Sequence, residues 1–124
     1  LGTPVYDDFD GLFFTLKSIQ VHHPAIFERS EIVVVDNHPN GIQASTIERF
    51  LHEINYLNNI RLVKLESPVG TAPAKQKVID SASNEWVVVF DCHILFEPGA
   101  FDYLLREIAV GNHDRDLLTG PLSC

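Results

Sequence analysis

The sequence predicts an α/β fold of three layers (α/β/α), with helices covering both faces of a mostly parallel sheet. Three observations predict it. Apolar runs of strand length alternate with segments of helical period. The runs at residues 31–35 and 86–90 are rich in large apolar residues, as strands buried on both faces are. Polar residues follow those runs directly, at the end of the sheet where open parallel sheets bind ligands.

The first helix is expected over residues 11–21, capped by Asp10, with Leu12, Leu16 and Ile19 forming one buried stripe. A strand at 31–35 runs into Asp36, Asn37, His38, Pro39, Asn40 and Gly41, residues that turn the chain. Ser45 with Glu48 fits a capping box, and Ile47, Phe50, Leu51, Ile54 and Leu57 recur at helical spacing behind it. Residues 60–65 follow as a strand that the charges of Arg61 and Lys64 place near the sheet edge. Gly70 opens the stretch 70–77 into a third helix, with Pro73 tolerated in its first turn. The run 86–90 is the clearest strand. Glu97, Pro98 and Gly99 start a fourth helix with Phe101, Leu104, Leu105 and Ile108 on one side, and Leu117 and Leu118 begin a last strand. Only five residues precede Tyr6, leaving little room for an opening strand.

The 124 residues, 45% of them hydrophobic, are read as a single domain over 1–124 with one sizeable core. The apolar runs are far shorter than the roughly 20 residues of a membrane span, so the chain reads as soluble. A net charge of −8 without a lysine or arginine stripe repels polyanions and excludes nucleic acid as a partner. A small anion remains compatible if a bound cation neutralises part of its charge. Cys92 and Cys124 make no disulfide framework, which points to a reducing, cytoplasmic compartment. The absence of methionine and the start at Leu1 suggest a fragment of something longer, and truncated surface of that kind favours self-association.

Tyr6, Asp7 and Asp8 precede the first helix, Asp36 and Asn37 end one strand, and Asp91, Cys92 and His93 end another, so three elements converge on one rim. Asp91 and His93, two residues apart, offer one oxygen and one nitrogen donor to a divalent metal. Two protein ligands leave coordination positions open for diphosphate oxygens and water. Manganese suits the imidazole better than magnesium does. The bland alternatives are a turn-capping Asp91 with a surface His93, a turn-forming Asp36 and solvated loop charges at Asp7 and Asp8.

Four stretches in order resemble the family 2 glycosyltransferases and their relatives. They are Tyr6-Asp7 with Gly11-Leu12 and Leu16-Lys17-Ser18-Ile19; Glu31-Ile32-Val33-Val34-Val35-Asp36-Asn37; Val69-Gly70-Thr71-Ala72-Pro73-Ala74-Lys75-Gln76; and Val88-Val89-Phe90-Asp91-Cys92-His93 with Pro98-Gly99-Ala100. The resemblance implies a Rossmann-like GT-A fold of the nucleotide-diphospho-sugar transferase type. It implies a nucleotide-diphosphate sugar as donor and a glycan, lipid or protein as the acceptor. By the same resemblance Tyr6 and Asp7 lie near base and ribose, Asp36 bonds the base edge, Gly70 and Lys75 approach the phosphates, and Asp91-Cys92-His93 takes the place of the Asp-x-Asp metal motif. The Asp-x-His form looks like that of the polypeptide GalNAc-transferases. Lys75 stands where the family often has arginine, and Gln76 where it often has asparagine. The family's general base and acceptor-binding half lie beyond this chain's last residues, so no catalytic base is named and useful turnover by the isolated chain is not expected.

Two other readings are weighed. A nucleotidyltransferase usually has a glycine-rich basic loop after its first strand, whereas Tyr6-Asp7-Asp8-Phe9-Asp10 is acidic. A receiver-like signalling module would use Asp7, Asp8 and Asp36 around magnesium, but needs a lysine after its last strand, and none follows Lys77.

Overall fold

The structure is a computed structural model that describes residues 1–111 and residue 117. Its elements run β1 (Gly2–Val5), α1 (Phe9–His22), α2 (Pro24–Arg29), β2 (Ile32–Asp36), α3 (Ala44–Ile54), β3 (Ile60–Lys64), α4 (Thr71–Ser81) and α5 (Asp102–Val110). The three strands form a parallel sheet in the order β1-β2-β3, with Gly2 opposite Val33 and Val34 opposite Leu62.

Alternation along β2 builds the layers. Ile32 and Val34 face a core completed by Leu12, Leu16 and Ile19 of α1, Phe27 of α2 and Phe50 and Leu51 of α3. Val33 and Val35 face the other way, onto Val78 of α4. All five β2 residues are buried, as expected of a strand covered on both faces. Gly2 lets α4 come close: a Cβ there would lie 2.1 Å from Val78 Cγ1, so a larger residue would push the helix off the sheet.

The opening strand is short, yet it is interior. β1 pairs with β2 on one side, and on the other Gly2 donates to Val88 O (2.9 Å) and accepts from Phe90 N (3.1 Å). Residues 86–90 therefore occupy a fourth strand position beside β1, but the ladder is only one bridge long, Gly2 with Val89, so the regular strand expected there does not form. Pro4 is the reason. It is the next residue whose N–H would face that side, and proline has none to donate.

Other differences from the sequence expectations have local causes. Helix α1 starts at Phe9 and is capped by Asp8, not Asp10, because the Asp8 carboxylate reaches Gly11 N at 2.9 Å. The capping box at Ser45 does not form: α3 begins at Ala44, and Glu48 instead pairs with Lys64 at 2.8 Å. Leu57 lies past the end of α3 and is exposed. Helix α2 was not expected, six residues being too few to show a period. Gly99, at φ 84°, is left-handed, so the chain turns through residues 98–101 and α5 starts at Asp102, with Leu105 exposed. β3 lies at the edge, with Arg61 and Lys64 exposed. Of the strand expected from Leu117 and Leu118, Leu118 lies outside the described residues and Leu117 is in no regular element. Among the described residues no helix is long and apolar enough to cross a membrane.

Candidate functional site

The segment 91–97 is not carried by the sheet; it is laid along α1 by side chains of that helix. Thr15, fully buried, donates through Oγ1 to Cys92 O (2.8 Å) and accepts from Ile94 N (2.9 Å). One turn on, Ser18 Oγ accepts from Phe96 N (3.0 Å), and the His23 ring meets Glu97 O at 2.7 Å. The backbone groups that a strand would have used are satisfied this way. Thr15 goes unnoticed in the sequence, and Ser18 is seen only as part of a family-like stretch, because a polar residue within a helical stripe reads as mere interruption.

Within that frame Asp8 has two tasks. Its Oδ1 caps α1, while Oδ2 accepts a hydrogen bond from Cys92 Sγ (3.6 Å) and lies 4.0 Å from His93 Nδ1. Donor atoms of Asp8, Cys92 and His93 lie within 4.8 Å of one another, the kind of group that can hold a metal. Burial, and then the Asp8 charge, push the Cys92 thiol up to about 12, so it keeps its proton and acts as a donor to Asp8. Asp91 is outside that group: its Oδ1 takes the Lys75 ammonium at 2.8 Å. Residues 91 and 93 thus face different partners, one toward α4 and one toward the start of α1.

Gly11 makes the contact between α1 and the segment possible. A Cβ there would lie 2.3 Å from Asp8 Oδ2 and 2.9 Å from Cys92 O. Gly11→Ala gains about 1 kcal/mol of helix propensity, but overpacking costs about 1–3 kcal/mol and a displaced cap about 0.5–2. A net loss of stability is expected in urea unfolding, and a variant as stable as the parent would show that the fit is loose.

The other end of the rim is built from the β1 and β2 termini. Tyr6, half exposed, stacks on His38 with centroids 4.8 Å apart and planes 9° from parallel. Asp36, only 1% exposed, accepts from His38 N at 2.9 Å, which is a turn-forming Asx contact. Asp7 sits at φ 48°, and its Oδ1 accepts from Gln43 N at 2.8 Å, tying the rim to the start of α3. Gly70 caps α4 at φ −64° and ψ 167°; its nearest neighbour for a Cβ is Pro73 Cδ at 3.7 Å, so the chain's own packing does not require glycine there.

Asn37 is the rim residue whose role the sequence least revealed. Its amide donates to Val69 O (2.7 Å) and accepts from Val69 N (2.9 Å), clamping the loop that leads to Gly70 against the end of β2. Asn37→Ala removes both bonds and is expected to cost about 1–3 kcal/mol in chemical denaturation. A loss below about 0.5 kcal/mol, the size of an ordinary surface change, would mean that the loop holds itself.

The sequence pattern described as "Glycosyl transferase family 2" matches residues 1–118. The chain belongs to glycosyl transferase family 2. No curated protein matches it significantly. Among solved structures, S. aureus TarS 1-349 superposes with a TM-score of 0.69 at 17% identity, over 88% of this chain and 31% of that one. A second S. aureus TarS structure gives 0.68 at 21%, over 88% and 19%. At those identities the likeness establishes the fold, a GT-A type parallel α/β sheet, and the family 2 chain spans less than a third of either structure.

A divalent metal, general in the family, is tested by the donors present. A cation already stands at Asp91, in the form of the Lys75 ammonium, and separately Asp8 and His93 offer carboxylate and imidazole donors within reach of each other. An imidazole exposed at 71% beside a carboxylate exposed at 39% fits a metal that must also meet a ligand from solvent.

Proposed function

We propose that this family 2 domain binds a nucleotide-diphosphate sugar through a divalent metal and serves transfer of the sugar to an acceptor. One observation carries the reading: in a chain of this family, Asp8, Asp36, Asp91 and His93 follow the carboxyl ends of β1, β2 and the segment 86–90, neighbours in one parallel sheet, on the rim where such sheets bind nucleotides. Asp91 and His93 hold the metal, with Asp8 alongside, once Asp91 leaves the Lys75 ammonium and turns to join His93 and Asp8. The Tyr6 ring, set by its stack on His38, and Asp7 lie along the nucleoside, and Asp36 meets the base edge. Gly70 leaves open backbone for the diphosphate and Lys75 supplies a cation to it. The metal, when bound, offsets charge developing on the departing diphosphate. Manganese is preferred over magnesium because imidazole is one of the donors. The acceptor is a glycan, lipid or protein. Exposed Tyr103, Leu105 and Val110 on α5 supply the surface for self-association.

A melting panel tests the donor reading. Uridine, guanosine, adenosine and cytidine diphosphates are each added with manganese, with magnesium and with neither. Stabilisation by one base that requires the metal, and is lost in Asp91→Ala, is expected. No shift with any pair would overturn the reading, and phosphorylation by acetyl phosphate in its place would favour a receiver-like module.

A further inference from the structure

The ion pair at the centre of the rim joins the two residues that the donor reading sends to different partners: Lys75 to phosphate and Asp91 to metal. Nζ and Oδ1 are 2.8 Å apart, and both side chains are partly exposed, at 37% and 45%. An ammonium at that distance takes one of the carboxylate's acceptor positions, and a second cation brought to the same carboxylate is repelled by it.

We propose that Lys75 and the metal are mutually exclusive partners of Asp91, so that Lys75 blocks the metal until a diphosphate draws the ammonium away, and metal and nucleotide then bind cooperatively. The inference rests on the donor reading and adds to it a coupling residue. Lysine is suited to the exchange. It makes a single point contact on a flexible stem, whereas a guanidinium would grip the carboxylate with two parallel bonds and release it less readily. The acid excess around the pair makes a tethered cation useful in the free protein: Asp8 and Asp91 flank Cys92 and His93, and the chain carries eight more negative than positive charges. Reciprocity follows from linkage. If diphosphate removes the block on the metal, metal strengthens diphosphate binding by the same factor.

Manganese binding is read directly from the electron paramagnetic resonance signal of the free ion, without reference to transfer activity. The parent chain, Lys75→Met and Lys75→Arg are titrated with manganese alone and then with uridine or guanosine diphosphate present. In Lys75→Met, manganese alone is expected to bind about fivefold tighter, the factor an exposed ion pair of about 1 kcal/mol accounts for. The enhancement by nucleotide is expected to shrink by a similar factor. Lys75→Arg keeps the charge and is expected to bind manganese alone no better than the parent. Unchanged affinity for manganese alone in Lys75→Met, even with weaker nucleotide enhancement, would leave Lys75 a phosphate contact and overturn the competition while the donor reading stands. Absence of manganese binding by every chain, with and without nucleotide, would sink both.

Discussion

In His93→Ala the manganese-dependent part of the nucleotide-induced stabilisation disappears. Ligand at about a hundredfold excess over its dissociation constant stabilises by about 2.7 kcal/mol, which for a chain of this size is about 10 °C in midpoint. His93 is a clean site for the test. It is 71% exposed and its ring nitrogen stays 4.0 Å from the Asp8 carboxylate, so alanine takes away a metal donor without opening the core. The unliganded variant should therefore melt within a degree or two of the parent, since surface changes are usually worth less than about 0.5 kcal/mol. Retention of the full manganese-dependent shift would remove His93 from the metal site and leave Asp8 and Asp91 as its donors.

The second large effect is on stability alone. Phe27→Ala is expected to cost about 3–5 kcal/mol, a substantial part of the 5–15 kcal/mol that holds most domains together. Phe27 is 1% exposed and brings α2 into the same core as Leu12, Leu16, Ile32 and Phe50. Its backbone carbonyl, which alanine keeps, also accepts from Asn59 Nδ2 at 2.7 Å and ties α2 to the approach to β3. Urea midpoints of this variant and of Phe14→Ala, whose ring is 58% exposed on α1, make the comparison. Equal midpoints would show that α2 is not part of the cooperative unit.

Much of the fold could be read from residues 31–36, 44–54 and 60–64, where the local pattern and the final environment agree. Ile32, Val33, Val34 and Val35 are apolar on both sides because both faces are covered, and Ile47, Phe50, Leu51 and Ile54 repeat at helical spacing because one face of α3 is buried. The reading failed where a partner far along the chain set the local structure. Residues 86–90 have the composition of a central strand, yet their pairing depends on Pro4, more than eighty positions earlier. The cap of α1 depends on a carboxylate that also answers to Cys92 and His93.

The same divide runs through the site. Sequence alone determined the layered α/β architecture, the resemblance to the family and the choice of rim, because hydrophobic period and the chemistry of strand-end residues are written locally. Only the tertiary structure decided that Asp91 pairs with Lys75, that Asp8 joins Cys92 and His93, and that Asn37 clamps Val69. The physical reason is range. A period is a property of neighbours a few residues apart, whereas an ion pair or a hydrogen bond is settled within about 3–4 Å of space by whichever distant segment the packed layers bring there.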